Sequence, residues 1–191
     1  MRITLLDGHP RGGSLGAALA DAYARGAEAG GHELRRLTPR DMAFDPVHRG
    51  YKEAAPLEPD LAAAQADIAW CEHLVVVHPV WWGSMPAQLK GFFDRTFTPG
   101  WAFKFHEGKI WWDRLLAGRS ARVIQTSATP KIAMRLAYFN CAPIAVKDST
   151  LAFCGFKPVR LTQFGGVGGG FKPEKARPWL AKCERLGQRG V

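Results

Sequence analysis

The residues best suited to chemistry in this chain of 191 residues stand in three short loops, each directly after an apolar run. Pro79-Val80-Trp81-Trp82-Gly83-Ser84 follows Leu74-Val75-Val76-Val77, so two adjacent tryptophans stand just past a run that suits a strand covered on both faces. Neighbouring side chains of an extended segment face opposite ways, so at least one indole must be exposed or covered by a flat ligand. His9-Pro10-Arg11-Gly12-Gly13-Ser14 joins two basic residues, two glycines and a serine able to cap a helix. Free amides and the positive end of a helix dipole at such a point suit a phosphate, although an ordinary glycine-containing turn explains this loop equally well on its own. Ser127 to Pro130 forms the third loop. A planar heteroaromatic cofactor carrying a phosphate accounts for the first two loops together, and that description fits a flavin.

Other chemistries fit less well. The Rossmann pattern requires glycine two residues after the first, whereas Gly8 is followed by His9-Pro10. The later glycines, Gly165 to Gly170, lead to Phe171-Lys172-Pro173, not to the Lys-Ser or Lys-Thr of a P-loop, and read as a flexible turn. Gly12-Gly13-Ser14-Leu15-Gly16 matches the G-x-S-x-G elbow of serine hydrolases. It comes too early for that fold, because the oxyanion hole draws on a loop after an upstream strand and only one strand precedes Ser14. The six histidines show no HExxH or Cys/His metal spacing, so no metal is expected.

The elements that must position these loops follow from periodicity. Ile3 to Asp7 reads as a strand, and Leu15, Ala18, Leu19, Ala22 and Tyr23 form the apolar face of a helix capped by Ser14 and ended by Gly30-Gly31. Glu33 to Leu37 is a weak second strand, and Thr38 to Pro59 is too polar and broken for core and reads as a surface excursion. Leu61, Ala64, Ile68 and Cys71 keep helical spacing before the third strand, and Pro86 opens a helix carrying Leu89, Phe92, Phe93, Thr96 and Phe97. An aromatic-rich stretch runs from Trp101 to Trp112. Arg122 to Thr126 is the fourth strand, a helix follows through about Phe153, and Val159 to Phe164 is the fifth strand before a last helix around Trp179 and Leu180. Strands alternating with helices imply an α/β fold: a doubly wound, parallel five-stranded sheet with helices on both faces, formed by residues 1–191 as a single domain. Ligands of such sheets bind outside the carboxyl ends of the strands, where the three loops fall.

Composition narrows the class. Hydrophobic residues make up 47% and charged residues 23%, values that exclude disordered, collagen-like and disulfide-scaffold chains. The formal net charge is +9, but no Lys/Arg run exceeds the pair Arg35-Arg36, so a general attraction for anionic ligands is favoured over a nucleic-acid groove. No apolar run approaches the roughly 18 residues of a membrane helix, so no stable membrane insertion is expected. Four cysteines without a CxxC pair and a start lacking a signal-peptide core point to free thiols and a cytoplasmic setting.

The segment His78-Pro79-Val80-Trp81-Trp82-Gly83-Ser84-Met85-Pro86-Ala87-Gln88-Leu89-Lys90-Gly91-Phe92-Phe93-Asp94-Arg95, with Gly100-Trp101-Ala102-Phe103, closely resembles the NAD(P)H:quinone oxidoreductase family of dimeric flavodoxin-like flavoproteins. His9-Pro10 with Ser14-Leu15 is similar to that family's first cofactor loop, and Leu151-Ala152-Phe153-Cys154-Gly155-Phe156 to its late helix end. The resemblance spans nearly the whole chain. It implies that His9, Ser14 and Leu15 hold the flavin phosphate, that the backbone of Pro79, Val80, Trp81 and Trp82 lines the isoalloxazine edge, and that Thr126 and Ser127 form the third flavin loop. Family members often carry Thr-Gly-Gly there, with a Tyr and a His shortly after that stabilise the reduced flavin. Here the run is Thr126-Ser127-Ala128-Thr129-Pro130, and no His follows His106; Tyr138 and Asn140 lie nearby without a clear match.

The resemblance further implies FMN or FAD as cofactor, with FMN favoured because no extra segment serves an adenosine. NAD(P)H would be the electron donor, a quinone-like molecule the acceptor, and hydride would pass through flavin N5 in two steps. Trp101, Phe103, Phe105, Trp111 and Trp112 hold more apolar surface than a helix-to-strand connection normally exposes, which fits either a satellite core cluster or an interface. In the family this stretch crosses the two-fold axis of a homodimer, with aromatics matching Phe103 and Phe105 covering the partner's flavin as part of the substrate pocket. A regulatory subunit of a membrane transporter, or a carrier that only shuttles electrons, would share the fold and the loops.

Overall fold

The computed structural model describes residues 1–50 and 56–191. Five strands form its sheet: β1 (Arg2–Asp7), β2 (Glu33–Leu37), β3 (His73–Pro79), β6 (Ser120–Ser127) and β7 (Val159–Gly165), all parallel in the order β2-β1-β3-β6-β7. Counting only these five, the order is 2-1-3-4-5, the flavodoxin-like arrangement whose switch point lies between β1 and β3. Every residue of β3 is buried, as a strand covered on both faces requires.

Alternation along the strands sends their side chains to two cores. Ile3, Leu5, Val75, Val77, Ile124 and Phe164 pack under α1 (Leu15–Ala29) and α6 (Arg177–Gln188). Leu6, Leu74, Val76 and Val123 pack under α2 (Pro59–Trp70), α3 (Ala87–Thr96) and the π-helical segment Ile144–Ala152. Helices α1 and α6 approach backbone to backbone: a Cβ on Gly26 would stand 1.9 Å from the Glu184 carbonyl oxygen, and one on Gly187 would stand 2.0 Å from that of Tyr23. Only glycine permits that contact.

Three stretches differ from the sequence expectation. The segment after β2 is not merely a surface excursion, because Pro39 is buried and Met42, Phe44 and Leu57 pack against the core; residues 51–55 of that stretch lie outside the described residues. Arg95, only 5% exposed, pins the segment to α3 by donating to the Asp45 carbonyl at 2.6 Å and to Glu58 at 2.8 Å. The aromatic stretch contains an antiparallel pair, β4 (Phe103–Phe105) and β5 (Trp112–Arg114). The expected helix through Phe153 is broken into α4 (Lys131–Leu136), α5 (Cys141–Pro143) and the π-helical segment, because Phe139 and Asn140 take left-handed backbone between them.

Candidate cofactor and active site

Residues from the three loops close on one cavity of about 250 Å³ at the carboxyl end of the sheet. His9 and Ser14 come from the loop between β1 and α1, Leu15 from the first turn of α1, Pro79, Val80 and Trp81 from the end of β3 and the turn after it, and Thr126 and Ser127 from the end of β6. The backbone ties these ends together. Gly8 N–H donates to the Val77 carbonyl at 2.8 Å, and Val80 N–H donates to that of Thr126 at 2.7 Å. Val167, past β7, also lines the cavity, and its N–H donates to the Ser127 carbonyl at 2.8 Å. The sequence reads this glycine-rich stretch as a flexible turn, whereas its place after a fifth parallel strand puts it at the same edge.

The first loop is built to receive an anion. Ser14 is buried, and its Oγ accepts from Ala17 N–H at 3.1 Å as the N-cap of the 15-residue helix α1. That use, together with ordinary extended backbone at φ −85°, removes the hydrolase reading: the serine caps a helix and stands on no strained elbow. His9 Nδ1 accepts from Arg11 N–H at 3.0 Å. Burial, reinforced by Arg11 and Arg40 and opposed by Asp7, lowers the His9 pKa. The ring is therefore neutral at pH 7 and carries its proton on Nε2, a donor on the cavity wall.

Behind the loop stands an ion pair that sequence reasoning missed. Asp7, 2% exposed, meets Arg40 Nη1 at 2.6 Å, and the same nitrogen donates to the His9 carbonyl at 3.1 Å. A carboxylate closing an otherwise apolar strand was the available signal, since such a group is seldom buried without a partner.

The tryptophan pair departs from the extended segment assumed for it. Trp81 N–H donates to the Ser84 carbonyl at 3.0 Å and Ser84 N–H to that of Trp81 at 2.9 Å, closing a tight turn. Both central residues are left-handed, Trp82 at φ 51° and Gly83 at φ 70°, the conformation that Asn-Gly ordinarily fills. Trp81 is 47% exposed and sets its ring edge-on to His9 at 6.0 Å between centroids, whereas Trp82 is fully exposed at the rim and its side chain is not part of the wall. A bulky residue in left-handed backbone with no packing to hold it there marks stored strain of the kind that gathers at functional sites.

Phe103 and Phe105 do not join this cavity within one chain. They line a second one of about 580 Å³, with Met85, Phe93, Phe97 and Phe153 among its other walls. The aromatic stretch divides: Trp101, Phe103 and Trp112 belong to the core, while Phe105 and Trp111 are 60% and 54% exposed.

Comparison with known proteins agrees with this geometry. The family described as having a flavodoxin-like fold matches residues 1–185. The uncharacterized NAD(P)H oxidoreductase YcaK of Escherichia coli (strain K12) is 29% identical over 162 residues, covering 80% of this chain and 82% of YcaK. The ribosyldihydronicotinamide dehydrogenase-like protein traD of Penicillium crustosum is 29% identical over 153 residues, and the chain spans 57% of its length. The fold superposes on the NAD(P)H:quinone oxidoreductase from Methanothermobacter marburgensis with a TM-score of 0.82 at 22% identity, covering 99% of this chain and 96% of that one. With the family match extending over residues 1–185 of 191 and the site standing where such folds bind ligands, the chain belongs to the flavodoxin-like family.

Proposed function

We propose that the protein is a flavin-dependent NAD(P)H:quinone oxidoreductase that holds FMN at the three-loop cavity and works as a homodimer. The observation that carries this reading is the convergence of three separated loops on one cavity beside the N-terminus of α1. The donors present suit a flavin phosphate: the first-turn amides of α1, the His9 Nε2–H and the charge of Arg11. Asp7 is already matched by Arg40, so no free carboxylate opposes the phosphate there. FMN is preferred to FAD because, among the described residues, no segment beyond the three loops serves an adenosine.

When bound, the flavin supplies the redox chemistry, accepting hydride from NAD(P)H and passing it to a quinone-class acceptor. His9 and Ser14 would anchor one end of the ligand, Trp81 would bound the other with the exposed Trp82 beside it, and Thr126 and Ser127 would close the side away from β1. The Tyr and His that stabilise the reduced cofactor in many relatives have no clear match after β6, where Tyr138 and Asn140 stand nearest, so backbone amides at the strand ends and the net charge of +9 would carry that task here.

The partner copy is supported by Phe105, Ile110 and Trp111, exposed at 60%, 98% and 54%, the first of them lining the second cavity. Four free cysteines fit a reducing, cytoplasmic setting. Initial-rate measurement of NADH and NADPH oxidation with a quinone tests the activity. FMN-dependent turnover with parallel double-reciprocal plots is expected, the pattern of a donor and an acceptor that use one face in turn. Flavin binding with no turnover on any quinone would favour an electron carrier or a regulatory subunit instead.

A further inference from the structure

His78 is the last residue but one of β3, fully buried, and lies directly across the sheet from Gln125 on β6. Its Nδ1 stands 2.9 Å from the Pro79 carbonyl oxygen, and its Nε2 stands 3.0 Å from the Gln125 amide nitrogen. A carbonyl can only accept and an amide nitrogen can only donate, so the imidazole carries its proton on Nδ1 and offers a lone pair at Nε2. Burial keeps the ring neutral, lowering its pKa to about 4. The Pro79–Val80 peptide is thereby held at both ends: its oxygen accepts from His78, and its N–H donates to Thr126 at 2.7 Å. That peptide lies in the cavity wall, between Pro79 and Val80.

We propose that His78 is a positioning residue for the cofactor: the chain Gln125 to His78 to Pro79 turns the Pro79 carbonyl away from the cavity and fixes the wall on which the flavin rests. The inference depends on the flavin reading above. An apolar residue would fill the same space, and a buried imidazole that needs two partners is costly unless both bonds are made. Gln125 Oε1 remains buried without a partner, so the amide is oriented for the histidine at the expense of its own carbonyl. Released from His78, the peptide would be held only through its Val80 N–H, and a tilt of its plane would bring the negative end of the Pro79 carbonyl dipole nearer a cofactor that becomes anionic on reduction.

His78→Phe removes the donor while keeping the ring volume, and His78→Asn restores a donor at the Nδ1 position. FMN affinity and midpoint potential are read by titration and spectroelectrochemistry, with far-UV circular dichroism of the flavin-free proteins as the folding control. His78→Phe should bind the reduced form about tenfold less well relative to the oxidised form, equivalent to about 30 mV for a two-electron couple. His78→Asn should recover most of that loss. Should His78→Phe fail to fold, Gln125→Met removes the donor to Nε2 at similar volume and should shift the potential in the same direction. Potentials within error of the parent in all variants overturn the proposal, as does an equal loss in His78→Phe and His78→Asn. A parent protein that binds no FMN overturns the flavin reading itself.

Discussion

Replacing Trp82 with asparagine should make the flavin-free protein more stable and its cofactor binding weaker. In left-handed backbone a non-glycine residue costs about 1–2 kcal/mol, and asparagine is among the few side chains that lower this by bonding locally. Trp82 sits at φ 51° and is fully exposed, so its removal forfeits no burial in the single chain. A gain of about 1 kcal/mol is expected, which raises Tm by about 2–4 °C in a domain of this size. The exposed indole lines no wall of the free chain; if it closes over the bound ring its loss removes a stacking surface worth about 1 kcal/mol, and FMN affinity should then fall roughly fivefold. Thermal unfolding by circular dichroism and FMN fluorescence titration give the two readouts, with Trp82→Phe as the control that keeps both strain and stacking. A lower Tm for the flavin-free Trp82→Asn protein would refute the strain argument. An unchanged FMN affinity would refute the role of the rim indole.

Phe105→Asp should weaken the dimer and lower quinone turnover together, because an isologous interface repeats the change on both subunits; a parent that is monomeric by light scattering at micromolar concentration yet fully active would contradict this. Arg40→Met should cost about 3–5 kcal/mol by leaving Asp7 buried and unpaired, and Asp7→Asn in the same chain should recover most of it in urea unfolding. His73 and His78 have pKa values near 4 in the fold, below the ordinary 6.5, so the unfolded chain binds more protons between these values and stability falls as pH drops through that window. Between pH 7 and pH 5 the loss should be about 2 kcal/mol per histidine, and a urea midpoint that does not move over that interval would contradict the assignment.

The parallel sheet was legible because Leu74 to Val77 is apolar without a break and the loops carry their own punctuation, Gly12-Gly13-Ser14 before one helix and Pro86 before another. The same regularity located the cavity, since parallel strands all deliver their carboxyl ends to one edge. What escaped depends on partners distant in sequence. Arg40 is one arginine among many until Asp7 faces it, and Val167 gains meaning only when β7 pairs with β6. Met42, Phe44 and Leu57 were hidden in a stretch whose polar neighbours disguise three apolar anchors held in place by Arg95. The turn at Trp82-Gly83 was misread because tryptophan seldom occupies left-handed backbone, and no local rule points to it.

FMN titration of the flavin-free protein, comparing the parent with Ser14→Asp, tests the central claim most directly. The parent should bind one FMN per chain. Ser14→Asp should bind it at least about tenfold more weakly, because a carboxylate would face the phosphate at the N-terminus of α1. No FMN binding by the parent, or equal affinity in the variant, would contradict it.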